Sequence, residues 1–374
     1  MKRRFRVSFL LLAGIVLLGF GLAGVFGAPG LMQYAFLPAA EQETGMLDRY
    51  EETLKNSADA FPRLTLHGQK SGVTLTAGSK SRNDVFLYAA GPMWNEVYPR
   101  QILNGRPLSG LDAQQGAAVI VIDKDTAFAL FGDVDPLGHT VKMDDTEYEV
   151  VGVAAHSRRI GETGESAAWV PLDTVTGCEL MVLSTTASTT DMFAMFRTRA
   201  EEGFGQGTAI SLVKEKASAL LPLLLVFIVA AAWVLKRWIR WLSSFAKARF
   251  GKVRAESRRR YALGLIPYAA GQLLPVVLLA AATVAACYGV AVAAISPARI
   301  FPEWIPESLG NFSSWISRFW DLTGAAAKPV SLKTPEQAEI AFHSGLIRWG
   351  ALLVLLAAAK GALSHLWRKK TGEE

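Results

Sequence analysis

The sequence predicts a membrane protein in which four transmembrane α-helices carry an extracytoplasmic α+β domain. Three observations lead there. Hydrophobic residues make up 51% of the 374, and they gather in a few long runs instead of spreading evenly. Lys and Arg cluster beside the ends of three of those runs. Between the first run and the second lies a hydrophilic stretch of alternating strand-like and helix-like segments, long enough to bury a core of its own.

Each run is justified by length. Val7 to Ala28, Ala217 to Leu235, Leu273 to Ile295 and Leu346 to Leu366 reach the roughly 20 residues that a helix needs to cross about 30 Å of hydrocarbon. Inside lipid every backbone N–H and C=O must be paired within its own segment, so the runs should be helical. The basic stretches "MKRRFR", "KRWIRWLSSFAKARFGKVRAESRRR" and "WRKK" fall on one side if all four runs cross. That places both termini in the cytoplasm and the two large hydrophilic segments outside. A cleaved signal peptide is the competing reading of the first run. It would leave three spans, which cannot return both ends to one side, so an uncleaved anchor is expected.

The resulting organisation is a basic start and first span over residues 1–28, an outer domain over 29–216 and a second span over 217–235. A basic cytoplasmic loop follows over 236–262, then a third span with a preceding elbow over 263–295. An outer aromatic loop covers 296–345, and a fourth span with a basic tail covers 346–374. The formal charge of +6 conceals an asymmetry: residues 29–216 hold 16 Lys and Arg against 25 Asp and Glu. The basic excess belongs to the cytoplasmic side, so nucleic acid is not an expected partner. Cys178 and Cys287 fall in different compartments and suggest no disulfide framework.

Within the outer domain, "LTLHG", "GVTLTAG" and "DVFLYAAG" read as strands, and "AAVIVI" as a central one. Asp123 is placed to cap a helix over "KDTAFALF" that Gly132 ends. Asp135, Pro136 and Gly138 make a tight turn. Two strands flank "MDDT", the second being "EYEVVGVAAH". "AAWVPL" and "LMVLS" extend the sheet, "TDMFAMFRTRAEEG" reads as a helix and "AISLV" as the closing strand.

The run from "YPRQILNGRPLSG" through "AAVIVIDKDTAFALFGDVDPLGHTVKMDDTEYEVVGVAAHS" to "AAWVPLDTV" resembles the periplasmic core domain of MacB-type and FtsX-type ABC permeases. The residues that carry the likeness are Gly105, Arg106, Phe131, Gly132, Asp135, Pro136, Gly138 and Gly152. One span, an outer domain and three further spans is also that family's arrangement. The resemblance implies a permease subunit, working as a homodimer or with a second permease, whose helices are driven by a separate cytoplasmic ATPase. Its output would be movement of the outer domain, for export, lipid or lipoprotein handling, or control of an envelope enzyme.

The residues themselves offer few chemical sites. No G-x-x-x-x-G-K-[ST] phosphate loop occurs, so ATP hydrolysis by that route is not expected of this chain. The five histidines are scattered outside zinc spacings, no serine lies in a G-x-S-x-G elbow, and Asp144, Asp145 and Glu147 read as a hairpin tip. Neither a cofactor nor enzymatic activity is expected. In the basic segment, Trp238, Trp241, Leu242 and Phe245 follow an i, i+3, i+4, i+7 pattern. With Arg258, Arg259 and Arg260 they suit contact with an ATPase groove or with anionic membrane lipid. Tyr261 stands where permeases of the resembled family commonly carry a glutamate. That difference fits the alternative of a membrane-anchored binding or scaffold protein uncoupled from any ATPase. In the third span Pro267 and Pro275 interrupt the helix ladder, and Ala281, Ala285, Ala286 and Gly289 suit close helix packing. Trp304, Trp315 and Trp320 in the outer loop suit an interfacial belt.

Overall fold

The structure, a computed structural model, describes residues 2–38, 45–186, 192–257, 261–300, 313–314, 317 and 333–371. The chain divides into two compact units. One comprises Met1–Gly19, Leu220–Ala325 and Leu346–Glu374, and the other Phe20–Ala219 with Ala326–Gly345.

The second unit is the outer domain. It starts with the end of α1 (Lys2–Gly27), followed by β1 (Leu31–Phe36), α2 (Met46–Ser57), β2 (Leu64–Ala77) and β3 (Lys80–Ala90). Next come α3 (Trp94–Val97), β4 (Ile102–Gly105), α4 (Gly110–Gln114), β5 (Val119–Asp123) and α5 (Lys124–Phe131). The rest is β6 (Thr140–Met143), β7 (Thr146–Ala154), β8 (Ser166–Pro171), β9 (Leu180–Thr186), α6 (Met192–Phe204), β10 (Thr208–Ser211) and α7 (Leu212–Ala219). The expected cap is present: the Thr126 amide donates to Asp123 Oδ1 at 2.7 Å, and Gly132 closes α5 at φ 67°. Asp123 Oδ2 also accepts from the Ala167 amide at 2.9 Å, which ties the helix start to β8.

All ten strands join one mixed sheet in the order β10-β1-β9-β2-β3-β8-β5-β7-β4, with β6 pairing both β2 and β7. That double pairing closes a ring through β2, β3, β8, β5, β7 and β6. The ring is possible because β2 is long and irregular. Its first half pairs with β9, register shifts follow between Lys70 and Leu75, and Leu75 and Thr76 then pair with β6. A bulge of this kind bends a strand and raises its twist, which is how one strand serves an open sheet and a closed one. Val73, Leu75, Val85, Leu87, Ile120, Ile122, Val141, Tyr148 and Val150 fill the ring, with Ala127 and Leu130 of α5 packed against them.

The open part, β10-β1-β9-β2-β3, has apolar material on both faces. Strand alternation sends Met32, Tyr34, Phe36, Leu64, Leu66, Met181 and Leu183 to one face, under α2 and α6. The intervening residues Leu31, Ala35, Phe86, Tyr88, Ala90, Leu180 and Val182 go to the other face with Trp94, Tyr98 and Trp169.

The first unit holds the remaining helical segments. α8 (Leu221–Glu256) and α9 (Ala262–Ile300) are long single helices, and α10 (Pro335–Thr371) runs from the outer domain's last segment into this unit. Among the described residues, four helices are long and apolar enough to cross a membrane. The basic segment 236–256, whose aromatic spacing is helical, is continuous with the second apolar run as the second half of α8. α10 begins eleven residues ahead of the apolar run expected at Leu346. Ala281, Ala285, Ala286 and Gly289 on α9 are exposed within the chain. Close helix approach occurs at Gly14 and Gly350, where a Cβ on Gly350 would stand 2.9 Å from the Gly14 carbonyl oxygen.

Candidate functional site

The sheet face opposite α2 and α6 carries an interior row of polar and aromatic side chains. Register explains it. Gln33 of β1 lies opposite Ser184 of β9, Ser184 opposite Thr65 of β2, Gln69 of β2 opposite Tyr88 of β3, and Tyr88 beside Trp169 of β8. Thr65, His67 and Gln69 follow one another at two-residue spacing on this face, while Leu64 and Leu66 point to the other. β2 thus contributes three buried polar groups, and β1, β9, β3 and β8 one polar or aromatic side chain each, to a continuous line.

Most of those groups satisfy one another, although His67 Nδ1 and Trp169 Nε1 are buried without a hydrogen-bond partner among the described residues. Tyr98 Oη lies 2.7 Å from Ser184 Oγ and accepts from Gln33 Nε2 at 2.9 Å. Thr65 Oγ1 donates to the Pro92 carbonyl at 2.8 Å. Tyr88 Oη donates to Glu162 Oε1 at 2.5 Å, and Glu162 Oε2 meets His156 Nε2 at 2.9 Å and the Arg159 amide at 2.8 Å. Burial alone would raise the Glu162 pKa; the bonds from His156, the Arg159 amide and Tyr88 outweigh it and hold the carboxyl below its usual range. Burial likewise raises the Tyr88 and Tyr98 phenols, so both stay protonated.

Two guanidinium groups face two carboxylates here. Arg100 lies 4.4 Å from the centre of the Trp169 ring and 5.3 Å from that of Tyr88, a cation–π seat. Burial lowers its pKa. Arg159 donates to Glu336 Oε1 at 3.2 Å. Burial opposes the Arg159 charge, but the nearby Glu336, Tyr88 and Glu162 more than offset it and its pKa is raised. His67 is driven the other way, to about 3, chiefly by burial with the Arg100 charge adding. Its ring packs edge-on to Trp94 at 4.7 Å and Tyr98 at 5.3 Å.

Beside this line, the motif residues named from sequence serve the backbone. Gly105 at φ 76° pairs with Gly152, and a Cβ on Gly152 would stand 2.2 Å from the Arg106 carbonyl oxygen, so β4 and β7 approach only as glycines. Arg106 Nη1 and Nη2 grip Asp112 at 2.6 and 3.1 Å, pulling that carboxyl down to about 2. Asp112 in turn forms a capping box with Ser109. Asp135 Oδ1 accepts from Asn104 Nδ2 and from the Leu137 amide, both at 3.1 Å, and Gly138 takes φ 73° in the turn after Pro136. Phe131 packs against the ring core and Gly132 ends α5.

The family described as MacB-like periplasmic core domain matches residues 25–208. The outer domain is a MacB-like periplasmic core domain. Over 96 residues the chain is 41% identical to a probable export ATP-binding/permease protein of Pseudomonas fluorescens, covering 25% of this chain and 15% of that one. It is 31% identical over 103 residues to the macrolide export ATP-binding/permease protein MacB of Aggregatibacter actinomycetemcomitans, covering 28% and 16%. The matched region thus spans about a sixth of the length of these relatives. Among solved structures, the periplasmic region of MacB from Actinobacillus actinomycetemcomitans aligns over 50% of this chain and 92% of that one, with TM-score 0.40 and 20% identity. The extracellular domain of the ABC-type transporter YknZ aligns over 48% and 97%, with TM-score 0.38 and 19% identity.

Outside the MacB-like domain, the aromatic stripe on α8 is stacked along the helix. Trp238 and Trp241 have ring centres 4.9 Å apart, and Trp241 and Phe245 5.5 Å apart. Leu242 is half-buried beside them. Trp238 Nε1 donates to Thr283 Oγ1 of α9 at 2.9 Å, so part of the stripe is spent on the α8–α9 pair. Arg249 donates to Gln272 at 2.5 Å in the same pair. Arg258, Arg259 and Arg260, and the outer-loop Trp304, Trp315 and Trp320, lie outside the described residues. Among the described residues no group of three His, Cys, Asp or Glu is placed to hold a metal ion.

Sequence reading missed the interior polar line. Its signal was present as single polar residues inside apolar alternation, Gln33 in "LMQYAF" and His67 in "LTLHG". Without strand register, nothing shows that these residues share a face.

Proposed function

We propose that this chain is the permease subunit of an ABC-type transporter or mechanotransmission complex. A separate cytoplasmic ATPase would drive the membrane helices, and the MacB-like domain would deliver the movement outside for export, lipid or lipoprotein handling, or control of an envelope enzyme. The observation that carries this reading is the pairing of a MacB-like core with one long apolar helix before it and three after it. The naming of relatives as ATP-binding/permease proteins supports an ATPase as the partner class. In this reading both termini and the basic half of α8 lie in the cytoplasm, as the distribution of Lys and Arg requires. The working unit is a homodimer or a pair with a second permease, embedded in lipid. Coupling needs contacts that differ between two states.

A second reading has one specific support. Tyr261 is 94% exposed at the start of α9 and replaces the acidic residue expected of a driven permease. An anchored binding or scaffold protein with a MacB-like ectodomain would tolerate that change.

Purification in mild detergent separates the two. An ATPase should be recovered with the native chain and lost when the Lys and Arg between Lys236 and Arg260 are replaced by glutamine. Recovery from neither chain would favour the scaffold. Equal recovery from both would show that the ATPase docks elsewhere.

A further inference from the structure

The first turn of α10 is buried where a helix leaving a membrane would ordinarily meet water. Glu336 is 2% exposed and Thr334 is fully buried. A lone carboxylate removed from water is strongly unfavourable, so its partners decide whether the arrangement holds. Glu336 Oε1 accepts from Arg159 Nη1 at 3.2 Å and Oε2 from Gln33 Nε2 at 3.1 Å. Thr334 Oγ1 donates to Gln33 Oε1 at 2.7 Å and accepts from the Gln337 amide at 3.3 Å, so it caps α10 while gripping β1. The Gln33 side chain is thereby used at both ends, its amide nitrogen also reaching Tyr98.

The shape of the site agrees with its charge. Gly161, at φ 100° in the loop between β7 and β8, lies so close to α10 that a Cβ there would stand 2.8 Å from Ala338 Cβ and 3.0 Å from Pro335 Cα. One turn on, Ile340 is 1% exposed in the same apolar cluster as Ala28, Leu31, Ile210 and Leu212. On α1, the His343 ring occupies the space a side chain on Gly24 would need. Without Glu336, Arg100 and Arg159 would be left facing Glu162, with Glu339 a weaker neighbour of Arg159.

We infer that Thr334 and Glu336 form a plug, and Gln33, Arg159 and Gly161 its socket, fastening the outward end of the fourth helix to the sheet beside β1. Motion of that helix then reaches the outer domain through β1 and the β7–β8 loop. The role in transmission rests on the permease reading; the joint itself does not. Glu336 and Arg159 are positioning residues.

The test uses the full chain in lipid nanodiscs, with Cys178 and Cys287 replaced by serine and spin labels at Lys124 of α5 and Phe342 of α10. The native pair should give one narrow distance. Glu336→Ala and Arg159→Ala should each broaden or shift it and lower the Tm by roughly 5 °C or more. The charge-exchanged double variant R159E/E336R should recover part of both changes. Thr334→Ala, which leaves no buried charge, should broaden the distance while the outer domain keeps its far-UV circular dichroism, so loss of fold in the other variants would not hide the effect. An unchanged narrow distance in Thr334→Ala, and in whichever of the two charge-deleting variants stays folded, would overturn the joint. Failure of any ATPase to co-purify would leave this result standing and remove only its place in transmission.

Discussion

Packed edge-on against Trp94 and Tyr98, His67 keeps a neutral imidazole whose folded pKa is about 3 against an ordinary 6.5. In that window the unfolded chain binds the proton and the folded chain does not, so stability rises with pH there and falls as acid is added. Between pH 6.5 and 5 the expected loss is about 2 kcal/mol. Urea unfolding of the full chain in detergent should show it, and His67→Phe should flatten the slope. Asp112 behaves differently: its folded pKa is lowered to about 2, so its contribution is full above pH 3.8 and fades only as the pH falls toward 2. Two acid limbs at separate pH values are therefore expected. Gly152 makes a steric point at the same scale. A Cβ 2.2 Å from the Arg106 carbonyl oxygen cannot be accommodated by a rotamer change, because the obstacle is backbone. Gly152→Ala should cost more than about 2 kcal/mol in the same unfolding measurement, whereas Gly110→Ala, with nothing within 4 Å, should not.

Single elements show what one side chain can organise. Asp123 accepts from Thr126 at the start of α5 and from Ala167 on β8. Asp123→Ala should lose about 2–3 kcal/mol, more than a lone cap, because a buried amide of β8 is left unpaired as well. Among the membrane helices, Gly350→Leu should prise α1 from α10, since a Cβ there already stands 2.9 Å from the Gly14 carbonyl. Cysteine crosslinking between the two helices should fall sharply in that variant. Asp123, the α5 stop at Gly132 and the Asp135-Pro136-Gly138 turn were legible in sequence because each is a local rule written in a few adjacent residues. β1 was not legible: "LMQYAF" is buried on both faces, so it lacks the alternation that marks a half-buried strand. The early start of α10 was also missed, because "PEQAEIAFHSG" carries two acids and reads as solvated. Its burial depends on Arg159 and Gln33, which lie 177 and 303 residues from Glu336.

For the whole molecule, the closed ring and the open sheet should differ in local stability. A ring without free edges leaves no strand to fray, whereas β10 and β4 end the sheet order. Hydrogen exchange should therefore be slowest in β3, β8 and β5 and fastest in β4 and β10. The fold class was readable at this scale from the apolar runs and the family-like segment, while ring closure was not. It depends on the bulge in β2, which turns two adjacent sequence stretches, "LTLHG" and "GVTLT", into one bent strand.

The two places where the backbone passes between helix and sheet are neighbours. α1 stops at Gly27 and β1 starts at Leu31; β10 stops at Ser211 and α7 starts at Leu212. Met32 and Ser211 are paired across one antiparallel ladder. A chain spans at most about 3.6 Å per residue, so neither junction holds slack to absorb a tug. Pulling either tether by more than a few ångströms must drag both rails together or unzip the four residue pairs between them, and in the proposed permease that would set how far the helices can stroke before the domain tears its own seam.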